Sequence, residues 1–147
     1  MTLRNLLNTG QLAEHRTDAV QVKRMLVAAQ RSIDDAKNET ISPETRLNAA
    51  YRAIMQASMV SLWANGYRPS KSSAGHHRTM IQTLNTSIGL DTDEMLVLDT
   101  FRVKRNAIDY SGDVVDVVSV ESCITAAERL LEHLQSWLVN NRDDLVL

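Results

Sequence analysis

Val120, Ile124, Ala127, Leu131, Leu134 and Leu138 recur at intervals of four, three, four, three and four residues. That spacing lines six apolar side chains along one seam of a helix, as in a coiled coil. It predicts a long final helix over about 119–141 that must pack its seam on other helices. The rest of the chain repeats the pattern. Val22, Met25, Leu26, Ala29, Ile33 and Ala36 give a helix over about 15–38. A turn, Asn38-Glu-Thr-Ile-Ser42, leads to a sharp helix start in which Ser42 caps, Pro43 takes the first helical position and Glu44 favours the positive dipole end. Leu47, Ala50, Tyr51, Ile54, Ala57, Ser58 and Ser61 line one face of that second helix, and Gly66 closes it. Residues 67–75 read as a polar loop. A shorter helix follows over about 76–89, with Met80, Ile81, Leu84 and Ile88 inward and Gly89 as its stop. Asp91 and Glu94 suggest a capping box for a fourth helix over about 92–110. A Val- and Asp-rich linker of about seven residues then precedes the final helix, and residues 2–8 form a short helical arm. Helices joined by short loops pack antiparallel, so the fold class is all-α, an up-and-down bundle of four to five helices.

The chain has 147 residues, the size of one domain. On this reading residues 1–147 form one unit, with 1–14 as an N-terminal arm and 142–147 as a short tail. A formal charge of −2 gives no global attraction to nucleic acid or to a membrane surface, so any RNA-binding field must be local. No apolar run approaches the ~18 residues of a membrane span, and the first residues carry no signal-peptide pattern. One cysteine, Cys123, forms no intramolecular disulfide and no cysteine zinc site. These features suit a cytoplasmic protein.

The fourth helix carries the chemistry. On a wheel of about 100° per residue, Leu98, Phe101 and Ile108 share an apolar arc into which Arg105 falls. Asp109, Arg102 and Asn106 follow around the next quadrant, with Tyr110 just beyond. A charge on a buried stripe is costly unless paired, and Asp109 stands one turn from Arg105 to hold it. The residues alone leave three readings open: a structural Arg105–Asp109 pair, a dimer contact or a binding site.

Arg105-Asn106-x-x-x-Tyr110, near the end of that helix, resembles the signature region of HEPN-domain proteins. Ala64-Asn-Gly-Tyr-Arg-Pro-x6-Gly75-His-His resembles an upstream segment of some branches, and the helix order is similar from about residue 16 to 140. The resemblance implies a helical homodimer whose motifs face a shared cleft. It also implies a metal-independent endoribonuclease, often a toxin of a toxin–antitoxin or defence system, encoded beside an antitoxin or nucleotidyltransferase partner. On it, Arg105, Asn106, Asp109 and Tyr110 are the candidate catalytic residues, and Arg102, His76 and His77 the candidate RNA or phosphate contacts. The alternative is a non-catalytic dimer of the same kind that binds a nucleotide, RNA or protein. The family histidine, four to six residues after the arginine, is missing: positions 110–112 are Tyr, Ser and Gly. Tyr110 or another residue must then replace it. Tyr, with a pKa near ~10, is a poor base at neutral pH, whereas His near ~6.5 serves both proton jobs.

His76 and His77 are adjacent, so a regular helix points them about 100° apart. His77 lies on the stripe with Ile81, Leu84 and Ile88, either as a core or capping residue or as a proton carrier reaching the Arg105 cleft. His15 and His133 form no metal spacing with them, so no metal and no cofactor is expected. Arg68-Pro-Ser-Lys-Ser-Ser can offer phosphate contacts but has the composition of a connector. Trp63 and Trp137 read as packing anchors.

Overall fold

The computed structural model describes residues 2–71 and 75–147. Ser72 and Ser73 of the polar loop therefore lie outside the described residues. The chain runs α1 (Leu3–Asn8), β1 (Leu12–Glu14), α2 (Ala19–Ala36), α3 (Pro43–Ala64), β2 (Tyr67–Pro69), α4 (His76–Gln82), α5 (Leu84–Ile88), α6 (Thr92–Ser111) and α7 (Val117–Asn141), and closes with a 3-10 turn (Asp143–Leu145). It is an all-α helical bundle with one minute two-stranded antiparallel sheet. Among the described residues no helix is long and apolar enough to cross a membrane.

The core sits around α3, which packs against α2, α7, α4, α5, α6 and β2. Ala50, Ala53, Ala57, Ser58, Ser61 and Ala64 are all buried. Their small side chains let neighbouring helices come close. Ser58 and Ser61 satisfy their hydroxyls on the carbonyls of Ile54 and Ala57, one turn back (2.8 and 2.9 Å), so burial leaves neither unpaired. The α7 seam lands in this core: Val120, Ile124, Ala127, Leu131, Leu134 and Leu138 are all buried.

Local chemistry fixes the ends. Ser42 accepts from Thr45 N and Pro43 opens α3, as the sequence predicts. α2 starts at residue 19 rather than 15, because Asp18 caps it by accepting from Gln21 N at 2.8 Å. Gly89 and Gly112 end α5 and α6 with φ of +67° and +71°, a conformation open to glycine without strain. At α6 the cap is one-sided: Asp91 accepts from Asp93 N at 3.2 Å, and among the described residues Glu94 returns no bond.

Three features depart from the sequence expectation. The helix predicted over 76–89 breaks at Thr83, whose hydroxyl bonds back to the carbonyls of Thr79 and Met80 (2.8 and 3.1 Å). Residues 67–69, expected in a loop, pair antiparallel with residues 12–14 of the expected arm, Ala13 opposite Arg68. Gly66 at φ +90° makes the turn into β2. The linker before α7 is shorter than expected, since that helix begins at Val117.

Arg46, on the second turn of α3, is buried at 4% exposure. Its Nε donates to the carbonyl of Ala36 (2.7 Å) at the end of α2, and its Nη2 reaches Glu121 on α7 (3.0 Å). One guanidinium thus ties three helices at the end of the bundle. Arg46→Ala will leave the Ala36 carbonyl buried without its donor and will lower stability by about 2 kcal/mol. Glu121 is mostly exposed, so Glu121→Gln will cost no more than about 1 kcal/mol. Urea unfolding of the two variants against wild type checks the ranking, and equal losses would refute it.

Candidate functional site

α3 is covered on most of its circumference; Asn48, Tyr51, Arg52 and Met55 stand at i, i+3, i+4 and i+7 along one edge of its open side, with Asn48 and Arg52 exposed and Tyr51 and Met55 buried. These four, with His77 from α4 and Arg105 and Asp109 from α6, line a cavity of about 430 Å³. The site therefore draws on three helices, and its floor comes from α3.

Arg105 does fall on the core-facing stripe of α6, between the buried Phe101 and the partly buried Ile108. Its guanidinium lies over the Tyr51 ring, 5.2 Å from the centroid. Nε donates to Asn48 Oδ1 at 3.2 Å, and Nη2 stands 3.8 Å from Asp109 Oδ2. The anticipated pair with Asp109 forms, but at ion-pair distance. The flat fork is held mainly by the tyrosine face and the asparagine.

Tyr51 joins the two halves of the site. It is 2% exposed, and its hydroxyl lies 3.3 Å from His77 Nδ1. Burial pushes its pKa up to about 12 against the opposing pull of Arg105 and Arg102, so it stays protonated at any physiological pH. His77 is shifted down from its ordinary value, first by burial and then by His76, Arg105 and Arg102. His76 is exposed and meets His77 edge-on, ring centroids 4.6 Å apart. The option that His77 reaches the arginine cleft is the arrangement found.

The other candidates lie elsewhere. Arg102 forms a two-pronged ion pair with Asp99 on its own helix (2.8 and 3.2 Å) and does not line the cavity. Asn106 is exposed. Tyr110 is 92% exposed. Five residues on a regular helix turn through about 500°, so Tyr110 stands some 140° around α6 from Arg105 and faces away. Within one chain it does not take the place of the missing histidine. His15 stacks on Trp63 (5.2 Å between centroids), and His133 Nε2 lies 2.7 Å from the Ile88 carbonyl. Among the described residues no group of three or more His, Cys, Asp or Glu is placed to hold a metal ion. Burial raises the Cys123 thiol to about 12, which leaves it unreactive.

Sequence reasoning missed Asn48, Tyr51 and Arg52. Tyr51 looked like one more member of the α3 core stripe. A polar residue at 48 and a cation at 52, flanking a tyrosine at helical spacing, were the signal available. A larger polar cavity of about 550 Å³ lies by the two-stranded sheet, between Arg16 and Arg142. Its Arg142 is already committed to Asp144 and to the Ala64 carbonyl, which makes it the weaker anion site.

The depressed His77 has a consequence for stability. The unfolded imidazole, near ~6.5, takes up a proton more readily than the folded one. Stability is therefore complete above that value, falls as the pH drops from it to the lower folded value, and is flat below. His77→Asn will remove this acid-side loss, seen as a flatter Tm against pH between about 7 and 5. An unchanged slope would show that another group carries it.

Comparison with protein-family models, with curated proteins and with solved structures yields no match to this chain, so its reading rests on its own residues.

Proposed function

We propose that the Arg105 cleft binds the phosphodiester backbone of RNA and cleaves it, in a HEPN-like ribonuclease whose proton carrier is His77. The observation that supports this is that Arg105 and His77 line one cavity and meet through Tyr51. Transesterification by the ribose needs three things: charge stabilisation on phosphate, proton removal from the 2′-hydroxyl and protonation of the leaving oxygen. Arg105 faces the phosphate. As the O2′–P bond forms, the 2′-hydroxyl gives its proton to the Asp109 carboxylate. As the P–O5′ bond breaks, the His77 imidazolium protonates O5′. Bound phosphate favours that imidazolium by its negative charge. On the resemblance of the Arg105-Asn106-x-x-x-Tyr110 segment, the cellular setting is a toxin–antitoxin or defence system with a protein partner.

A second reading, RNA or nucleotide binding without cleavage, draws support from the same histidine. Its depressed pKa leaves little imidazolium at neutral pH before phosphate binds.

A homodimer completes the proposal, but through a different face. Leu96, Val103 and Tyr110 are exposed at 55, 54 and 92%, and with Thr100 and Ala107 they make a 4-3-4-3 stripe on α6. A two-fold axis at Val103 sets Leu96 against Tyr110 of the second copy. This stripe lies on the side of α6 opposite Arg105, so such a dimer holds two outward-facing clefts rather than one shared cleft.

RNA cleavage in EDTA, followed by detection of 2′,3′-cyclic phosphate ends, tests the reaction. Arg105→Ala and His77→Ala should each lose about 10²-fold or more, and Tyr110→Phe should keep full rate. RNA bound but uncut by wild type would establish the second reading. No binding at all would remove the cleft as an RNA site. Sedimentation equilibrium of Val103→Glu should show monomer where wild type shows dimer; an unchanged mass would refute the stripe as the dimer face.

A further inference from the structure

We infer that Tyr51 is a positioning residue that fixes the tautomer of His77, so that the histidine offers Nε2–H to the cleft and acts on its donor side. The inference about the role rests on the phosphate reading above, whereas the tautomer itself does not. The geometry carries it. Tyr51 is buried, and among the described residues its hydroxyl has one hydrogen-bond partner, His77 Nδ1 at 3.3 Å. A buried hydroxyl left without an acceptor is costly. In the neutral pair the hydroxyl is satisfied only by donating to Nδ1, and a nitrogen that accepts carries no proton. The ring proton is then on Nε2. The opposite tautomer sets Nδ1–H against a hydroxyl whose own proton has no acceptor.

The other groups around the ring agree with this assignment. Arg105 is held over the Tyr51 ring and, among the described residues, makes no hydrogen bond to His77. His76, on the same helix, meets His77 through its ring edge. Among the described residues, none of Asn48, Arg52 and Asp109, the remaining polar groups of the cavity, hydrogen-bonds to His77. Nε2 is therefore the nitrogen left for a ligand. An Nε2–H beside an arginine fork suits an oxyanion and is wrong for taking a proton from a hydroxyl. The ligand class this favours is a phosphate diester, with Arg105 on one non-bridging oxygen and His77 on a second oxygen or the leaving group. On protonation Nδ1–H turns to donate to the Tyr51 oxygen, so the imidazolium of the free site also presents Nε2–H to the cleft, and that is the proton passed to O5′ when the P–O5′ bond breaks.

Long-range proton–nitrogen NMR of the free protein at pH 8 reads the tautomer directly. Wild type should give the Nε2–H pattern for His77, and Tyr51→Phe, folded by circular dichroism, should move it toward a mixture. An Nδ1–H pattern in wild type overturns the proposal by itself, even if Tyr51→Phe fails to fold. So does a folded Tyr51→Phe with the tautomer unchanged. The role is tested by titrating a 2′-O-methyl RNA oligonucleotide, which cannot be cleaved. His77→Gln, whose amide nitrogen stands near the Nε2 position, should bind within about threefold of wild type, and His77→Asn should lose about tenfold. The reverse order overturns the donor role. Absence of oligonucleotide binding by wild type would strike the phosphate reading and the donor role built on it, while the tautomer result stands or falls on the spectrum.

Discussion

The close packing of small residues along α3 is the constraint from which the rest of the molecule follows. A helix surrounded on nearly every side must present little volume to its neighbours, and the run Ala50, Ala53, Ala57, Ser58, Ser61, Ala64 does so. Larger residues there would push α2 and α7 outward and open voids in the core. Arg46 adds orientation to that packing. Its guanidinium fits between the end of α2 and the second turn of α7, where its polar contacts discriminate between registers that apolar contact alone would leave similar in energy. With α3 held in this way, the one stretch of its circumference that stays open becomes the cleft. The walls of the site are set by the core rather than by a mobile loop.

Within the cleft, the tyrosine reconciles two positive groups. Arg105 and a protonated His77 repel each other, and His77 is shifted downward partly by that arginine. Tyr51 lies between them, with its ring face toward the guanidinium and its hydroxyl toward the imidazole. The ring's negative face favours the arginine, and the hydroxyl favours the neutral histidine. A bound anion reverses the balance, because both cations then face a shared negative charge. On the proposed reading, ligand and proton therefore arrive together.

How much of this was legible in the residues depends on the length over which each signal acts. The α7 seam runs for nineteen residues from Val120 to Leu138, and every member is buried as the periodicity requires. The caps at Ser42 and Gly89 are local chemistry and read correctly. The small sheet was not readable, since three-residue strands carry no usable alternation, and their pairing joins segments over fifty residues apart. The break at Thr83 was hidden because Met80, Ile81, Leu84 and Ile88 fit one continuous helix as well as two short ones. Arg46 and Tyr51 were hidden for a different reason. A single helix wheel gives the face a side chain occupies but not what stands opposite, so a buried arginine looks like surface and a site tyrosine looks like core.

The same limit explains why a linear motif and a spatial site diverge here. The Arg105-Asn106-x-x-x-Tyr110 segment places its tyrosine on the wrong side of a regular helix, while a histidine twenty-eight residues earlier in sequence reaches the arginine from another helix. Chemistry imposes no chain order: a proton carrier near pKa ~6.5 within reach of an arginine meets the same requirement whichever element supplies it. What the fold must supply is the second contact that orients the carrier. Tyr51 meets that need from the helix at the centre of the core. On the proposed reading, a tyrosine at position 110 is compatible with cleavage only if a histidine elsewhere has such a support, and His77, alone among the four histidines, has both the support and the cleft.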